Sequence, residues 1–176
     1  MKTLIKKGLT GSGKRSVIKS LFIISSLALF MSFHTVAKAQ DDNIVPPFTQ
    51  ESAQAKLKTN ESAWNTHDPE KIAMLYGPDA EWREGTSMIK GRAAIIAYLK
   101  EKFAKETDFK TSKEVWGAKL SKNAIRFEDE WLDAKTGQWY HSYGVEVVLF
   151  DDKGIIIERY ASINDKPINA SERSIK

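Results

Sequence analysis

Four long segments in the second half of the chain constrain its fold more than anything else in it. Residues 109–120, 123–133, 138–150 and 154–165 are rich in Val, Ile, Phe, Tyr and Trp, and only short polar stretches part them. Ser121-Lys122, Ala134-Lys135-Thr136-Gly137 and Asp151-Asp152-Lys153 have the length and composition of hairpin connections. Strands joined this way pair antiparallel without a crossover, so a four-stranded meander is predicted. Both alternating sets in these strands carry apolar groups. Along residues 138–150 one set holds Trp139, Tyr143, Val145, Val147 and Leu149, and the other holds Tyr140, Val148 and Phe150. A sheet with water on one face alternates more cleanly. The second face therefore needs a cover, and a homodimer packed sheet against sheet is the simplest one.

Helical signals precede the strands. Thr49 is a good N-cap, and Ala53, Leu57, Asn60 and Trp64 follow on one helical face, with Asn60 the odd member. Asn65-Thr66-His67 breaks this helix. Asp68-Pro69 opens a second one with its apolar stripe at Ile72, Leu75 and Tyr76, and Gly77-Pro78 ends it. Residues 80–84 suit a short strand. After Gly91, residues 92–106 form the strongest helix, its inner face set by Arg92, Ile95, Ile96, Leu99 and Phe103. Helices followed by a run of strands give an α+β fold, with the helices on one face of an antiparallel sheet.

The first 39 residues read differently. Lys2, Lys6, Lys7, Lys14, Arg15 and Lys19 come first with no acidic residue, then an apolar run over residues 21–33, then Ala37-Lys38-Ala39. Basic start, apolar middle and a small-x-small end make a secretory signal. The run is shorter than the roughly 20 residues a membrane span needs, and an uncleaved anchor is the alternative. The organisation expected is a signal over residues 1–39, a flexible lead-in over 40–47, one domain over 48–168 and a polar tail over 169–176. The product is expected to be exported, periplasmic or secreted, with no membrane association once the signal is removed.

Without the leader the net charge turns from +4 to −3, since 7 of the 27 basic residues and none of the 23 acidic ones lie there. A mildly acidic domain argues against general nucleic-acid binding, which needs a basic face. Gly8-Leu9-Thr10-Gly11-Ser12-Gly13-Lys14 imitates a phosphate-binding loop, but Arg15 stands where Ser or Thr is needed and no strand precedes it. The chain has no cysteine, so its core must hold it together without disulfides.

The order of these elements carries a resemblance. Pro47-Phe48-Thr49 opens the first helix, and Ala63-Trp64-Asn65 leads to Asp68-Pro69-Glu70. Trp82-Arg83, Gly91-Arg92, Lys113-Glu114-Val115-Trp116, Arg126-Phe127, Glu130-Trp131, Gly137-Gln138-Trp139, Ser142-Tyr143-Gly144, Glu146 and Ser162-Ile163-Asn164-Asp165 follow. Together, over residues 46–168, they resemble a subfamily of the nuclear-transport-factor-2-like (SnoaL-like) superfamily described as a domain of unknown function. The resemblance implies a cone-shaped, curved antiparallel sheet wrapped around the long helix, with a pocket at its wide end. Relatives use that pocket for isomerisation, cyclisation, dehydration or epoxide opening, and others only bind or scaffold a dimer. Fold alone does not choose among these.

Several residues are candidates for chemistry. Alternation places Arg126, Glu128 and Glu130 on one strand face. If that face lines the pocket, Glu130 is a base with Arg126 orienting it; otherwise the set is a structural ion pair or a solvated face. Glu146 stands among Val and Leu, where a buried carboxylate needs a partner. Arg83 or Arg126 is the expected partner, and a purely structural pair is the alternative. Tyr143 is either an oxyanion donor or a core tyrosine. Trp82, Trp116 and Trp131, with Asn60 and Asn164, are candidate substrate contacts, set against ordinary core packing and, for Asn164, a turn. His67 and His141 lie far apart without ligand-spaced partners, so no metal is expected; nor is a cofactor. Two functions follow. One is an exported lyase or isomerase acting on a small, partly apolar molecule by general acid–base catalysis. The other is a non-catalytic dimeric module that binds a ligand or a partner.

Overall fold

The computed structural model describes residues 44–175, and the expected secretory signal lies outside them. The elements run α1 (Gln50–Trp64), α2 (Pro69–Ala73), β1 (Tyr76–Glu84), β2 (Ser87–Lys90), α3 (Arg92–Lys105), β3 (Glu106–Lys119), β4 (Lys122–Asp133), β5 (Trp139–Phe150) and β6 (Ile156–Ile168). The helices start where the sequence says. Thr49 and Ser52 form a reciprocal capping box, and Asp68 caps α2 with Pro69 at its first position. Among the described residues no helix is long and apolar enough to cross a membrane.

The meander is present: β3, β4, β5 and β6 pair successively antiparallel. The sheet has six strands in the order β2-β1-β6-β5-β4-β3. It is not antiparallel throughout, because β1 runs parallel to β6, and it is not strongly curled. The chain crosses between these two strands through everything from β2 to β5, so adjacency in sequence gave no hint of the pairing. Two further differences are local. Tyr76 ends no helix; it opens β1, a strand four residues longer at its start than expected. Residues 87–90, including Met88 and Ile89, form a further short strand that no sequence signal assigns.

The helices cover one face of the sheet. Ala53, Leu57, Asn60 and Trp64 of α1 are all buried, as are Ile95 and Leu99 of α3, against Trp82, Phe109, Val115, Ile125 and Val148. Strand β3 is an edge, and α1 seals it. Asn65 Oδ1 accepts from Thr111 N (2.9 Å) while its Nδ2 donates to Thr111 O (3.0 Å). Glu61 accepts from Lys113 N (2.6 Å), Gln54 accepts from Val115 N (3.1 Å), and Gln50 donates to Val115 O (2.7 Å). One polar stripe of the helix thus plays the part of a seventh strand and satisfies backbone groups that invite aggregation.

The C-terminal residues are not a free tail. A single 3-10 turn, Ala170–Glu172, turns the chain back. Ser174 and Ile175 then hydrogen-bond to Glu130.

Candidate functional site

Alternation along β4 and β5 sorts the candidate residues into two sites. Ile125, Phe127, Asp129 and Trp131 face the helices together with Ser142, Gly144, Glu146 and Val148. Arg126, Glu128 and Glu130 face the other way with His141, Tyr143, Val145 and Val147. Glu146 and Glu130 therefore do not converge; the sheet lies between them.

On the inner face Glu146 is 4% exposed. Its partners are neither Arg83 nor Arg126. Oε1 accepts from Lys113 Nζ at 2.9 Å and Oε2 from Arg159 Nε at 2.6 Å. Arg159 also pairs with Glu84, and its guanidinium lies 4.9 Å from the ring of Trp82 and 5.6 Å from that of Trp64. Lys113 Nζ lies 5.0 Å from Trp64 and 5.1 Å from Phe127. Burial alone raises a carboxyl pKa, but the two cations more than reverse it and hold Glu146 down at about 2. The four charges cancel. Such a carboxylate is a structural anchor and a poor proton acceptor near neutrality.

Asp129 is different. It is 5% exposed, and its Oδ1 has no hydrogen-bond partner. Lys102, whose charge acts on Asp129, is paired with Glu106 at 2.5 Å, and that pair is itself mostly buried. Lys102 is already matched by Glu106, and Lys113 by Glu146. Asp129 is the surplus negative charge of the interior. Burial pushes its carboxyl up to about 6, and the positive charge of Lys102, the Thr111 hydroxyl and the charge of Lys113 pull it back only in part. Asp129 sits in register with Thr111 of β3 and Ser142 of β5, and Ser142 with Asp165 of β6. Ser142 Oγ donates to Asp165 (2.7 Å) and accepts from Trp131 Nε1 (2.9 Å). The result is a polar row across the inner sheet. Asn60 Oδ1 and Trp82 Nε1 are buried and lack partners as well. Interior polar atoms are nearly always satisfied, so these orphans are the inner face's candidates for polar contact with a ligand.

The outer face holds the other candidates. Tyr143 is 46% exposed, and its ring stacks on His141 at 4.5 Å. Arg126 pairs with Glu128. Arg83 and Trp116 line an outer cavity of about 230 Å³, and Asn164 lines a second of about 190 Å³. Of the tryptophans proposed as substrate contacts, Trp82 and Trp131 are buried inside and Trp116 is 65% exposed outside. Trp82 stacks on Trp64 at 5.9 Å and Trp131 on Tyr140 at 4.5 Å. Asn60 is inside. Asp129, Lys102, Lys113 and Arg159 were not foreseen. The readable signal was parity: Phe127 and Trp131 are the large apolar residues of β4, and Asp129 shares their alternation.

Residues 46–176 match the family model described as a protein of unknown function, DUF1348, and the chain belongs to that family. No curated protein matches the chain. Among solved structures it is similar to a candidate isomerase from Bacillus subtilis, at 18% identity and a TM-score of 0.56, over 66% of this chain and 90% of that one. A second is a hypothetical protein with a ketosteroid isomerase-like fold from Catenulispora acidiphila, in complex with trimethylamine, at 11% identity and 0.55, over 60% and 82%. A third is SalBIII, an epoxide hydrolase/cyclase-like enzyme of pyran-ring formation in the polyether salinomycin, at 14% identity and 0.58, over 71% and 94%. At such identities the likeness carries the fold alone, and the fold is the nuclear-transport-factor-2 and ketosteroid isomerase-like one.

Proposed function

We propose that this DUF1348 member is an exported proton-transfer enzyme of the lyase or isomerase type, acting on a small, partly apolar molecule, with Asp129 as its general base. The observation that carries this reading is the burial of the Asp129 carboxylate with no donor at Oδ1, a burial that pushes its pKa up to about 6. At neutral pH such a group is ionised yet basic enough to accept a proton from a C–H bond next to a carbonyl. The C–H bond breaks, an O–H bond forms on Asp129, and the electron pair moves onto the carbonyl oxygen. Neutralising Asp129 removes the surplus interior charge, and the negative charge created on the substrate is offset by the same lysines, Lys102 foremost. Return of the proton to another carbon completes an isomerisation; loss of a β-leaving group completes an elimination. Trp64, Trp82, Phe103 and Phe109 supply the apolar wall.

The carboxyl carbon of Asp129, followed by NMR through a pH titration, should show a midpoint near 6. Incubation with a metabolite mixture should leave a carbonyl compound bound to the wild type and unconverted on Asp129→Asn. A midpoint below 4, or retention of a compound that Asp129→Asn turns over normally, would refute the assignment.

The outer face supports the second half of the reading, a homodimer through the sheet. Trp116, Tyr143, Val145, Val147 and Tyr160 leave 42–65% of their surface exposed on it, a patch of the kind that marks an interface. Light scattering at micromolar concentration should return twice the chain mass, and a monomer mass would refute the dimer. The export half is checked on protein recovered from its host, which should lack residues 1–39.

A further inference from the structure

A second cluster of ionisable groups lies on the outer face, apart from Asp129, and the chain's own C-terminus closes it. Glu130 has no exposed surface, although Arg173 and Ser174, which lie against it, are themselves exposed. Its Oε1 accepts from Ser174 N (2.7 Å) and Ser174 Oγ (3.1 Å), and its Oε2 from Ile175 N (3.2 Å). Arg173 Nε stands 3.8 Å from the same carboxylate, and its guanidinium packs over Trp139 at 3.9 Å. From the sheet side His141 Nδ1 meets Glu130 at 3.1 Å and His141 Nε2 meets Glu128 at 2.9 Å. Arg126 holds Glu128 in turn. Ser174 and Ile175 also wall a groove of about 660 Å³ whose other sides include Glu61, Ser112, Arg126 and Glu128.

What holds the segment down is unusual. It buries no residue fully, so hydrophobic burial contributes little, and its docking rests on hydrogen bonds and an Arg173 ion pair to one carboxylate and on one cation–ring contact. An anchor of that kind releases without disturbing the core. A buried carboxylate is also costly unless its acceptor sites are filled, so whatever leaves must be replaced by water or by another donor. We propose that residues 173–175 are a reversible strap over a Glu128–His141–Glu130 site on the outer face, beside that groove. When the strap lifts, the site takes a small amide- or hydroxyl-bearing ligand whose N–H or O–H groups occupy the positions of Ser174 N, Ser174 Oγ and Ile175 N.

The proposal is independent of the Asp129 reading and is tested without activity. The reagent is diethyl pyrocarbonate, with acylation of each histidine followed by mass spectrometry. His141 is the reporter. His67, whose Nε2 contacts Phe109 O at 2.5 Å, is the internal reference for an intact fold. In a chain ending at Glu172, His141 should be acylated at least tenfold faster than in the full chain, with His67 unchanged. N-acetylated Arg-Ser-Ile-Lys peptide at millimolar concentration should slow His141 again, and saturably. Glu130→Gln in the full chain should also accelerate His141, because an amide accepts fewer of the strap's donors. Arg173 and Ser174 are exposed and Ile175 is half-buried, so the truncation serves where Glu130→Gln fails to fold. An unchanged His141 rate after truncation overturns the strap. A truncated chain that the peptide does not protect overturns the ligand class.

Discussion

Replacing Asp129 by Asn should make the protein more stable at neutral pH, and the size of the gain can be worked out. The carboxyl moves from an ordinary value of 3.8 to about 6 in the folded chain. Because the folded value lies above the unfolded one, the folded state binds the proton more tightly. Ionisation therefore costs stability, a cost absent below about pH 4 and complete above about pH 6. Two units at about 1.4 kcal/mol each give a penalty of about 3 kcal/mol at pH 7.5. Asn cannot ionise and avoids it. A change of that size in a domain of this length raises the melting temperature by about 10 °C. The assay is urea unfolding of both proteins at pH 7.5 and pH 4. The variant's advantage should be largest at pH 7.5 and close to zero at pH 4. An advantage of equal size at both pH values, or a variant less stable at pH 7.5, would refute the claim that Asp129 is an uncompensated buried charge.

Glu146→Gln should behave oppositely. The folded pKa is depressed from 4.5 to about 2, so the pair contributes about 3 kcal/mol above pH 5 and loses it as pH falls toward 2; denaturation curves should show a large deficit at pH 7 that narrows in acid. Gly144→Ala should destabilise by about 1–3 kcal/mol through overpacking, because a Cβ there would stand 2.1 Å from Phe127 Cζ; calorimetry reads it, and an unchanged melting temperature would show that the ring moves freely. Asn65→Ala strips both backbone partners from Thr111 on the β3 edge and should cost about 1–3 kcal/mol, with faster amide exchange at Thr111 as the local signature.

The meander, the helix caps and the buried stripes of α1 and α3 were legible because local chemistry decides them. Turn residues, an N-cap threonine and a proline at the first helical position act within a few residues. The parallel pairing of β1 with β6 was not legible, since it joins segments more than seventy residues apart and no local signal distinguishes a parallel partner. The site divided along the same line. That Arg126, Glu128 and Glu130 share a face follows from alternation, and they do. Which face meets the helices depends on the whole sheet, and the heavier apolar set, Phe127 with Trp131, was the better guide. Glu146 among Val and Leu signalled that it would need a cation if buried, but Arg83 and Arg126, the partners expected, do not supply one. The cations come from β3 and β6, and only the assembled sheet brings Lys113 and Arg159 to it.

Asp129 and Glu130 are neighbours in sequence, yet β4 turns one inward and the other outward, and their surroundings treat them in opposite ways. Glu130 is given three hydrogen bonds from the strap and a histidine, which lower its pKa. Glu146, one strand away, receives two cations. Asp129 receives no hydrogen bond at Oδ1 and shares lysines already matched by other carboxylates. A fold selected only for stability has no reason to leave that one acid unpaired, since Asn or Ser fits the same row at lower cost and net stability is only about 5–15 kcal/mol. Buried acids with raised pKa values cluster at functional sites. The proposed role of Asp129 rests on that contrast: Glu130 and Glu146 are supplied with donors or cations that lower them, while burial raises Asp129.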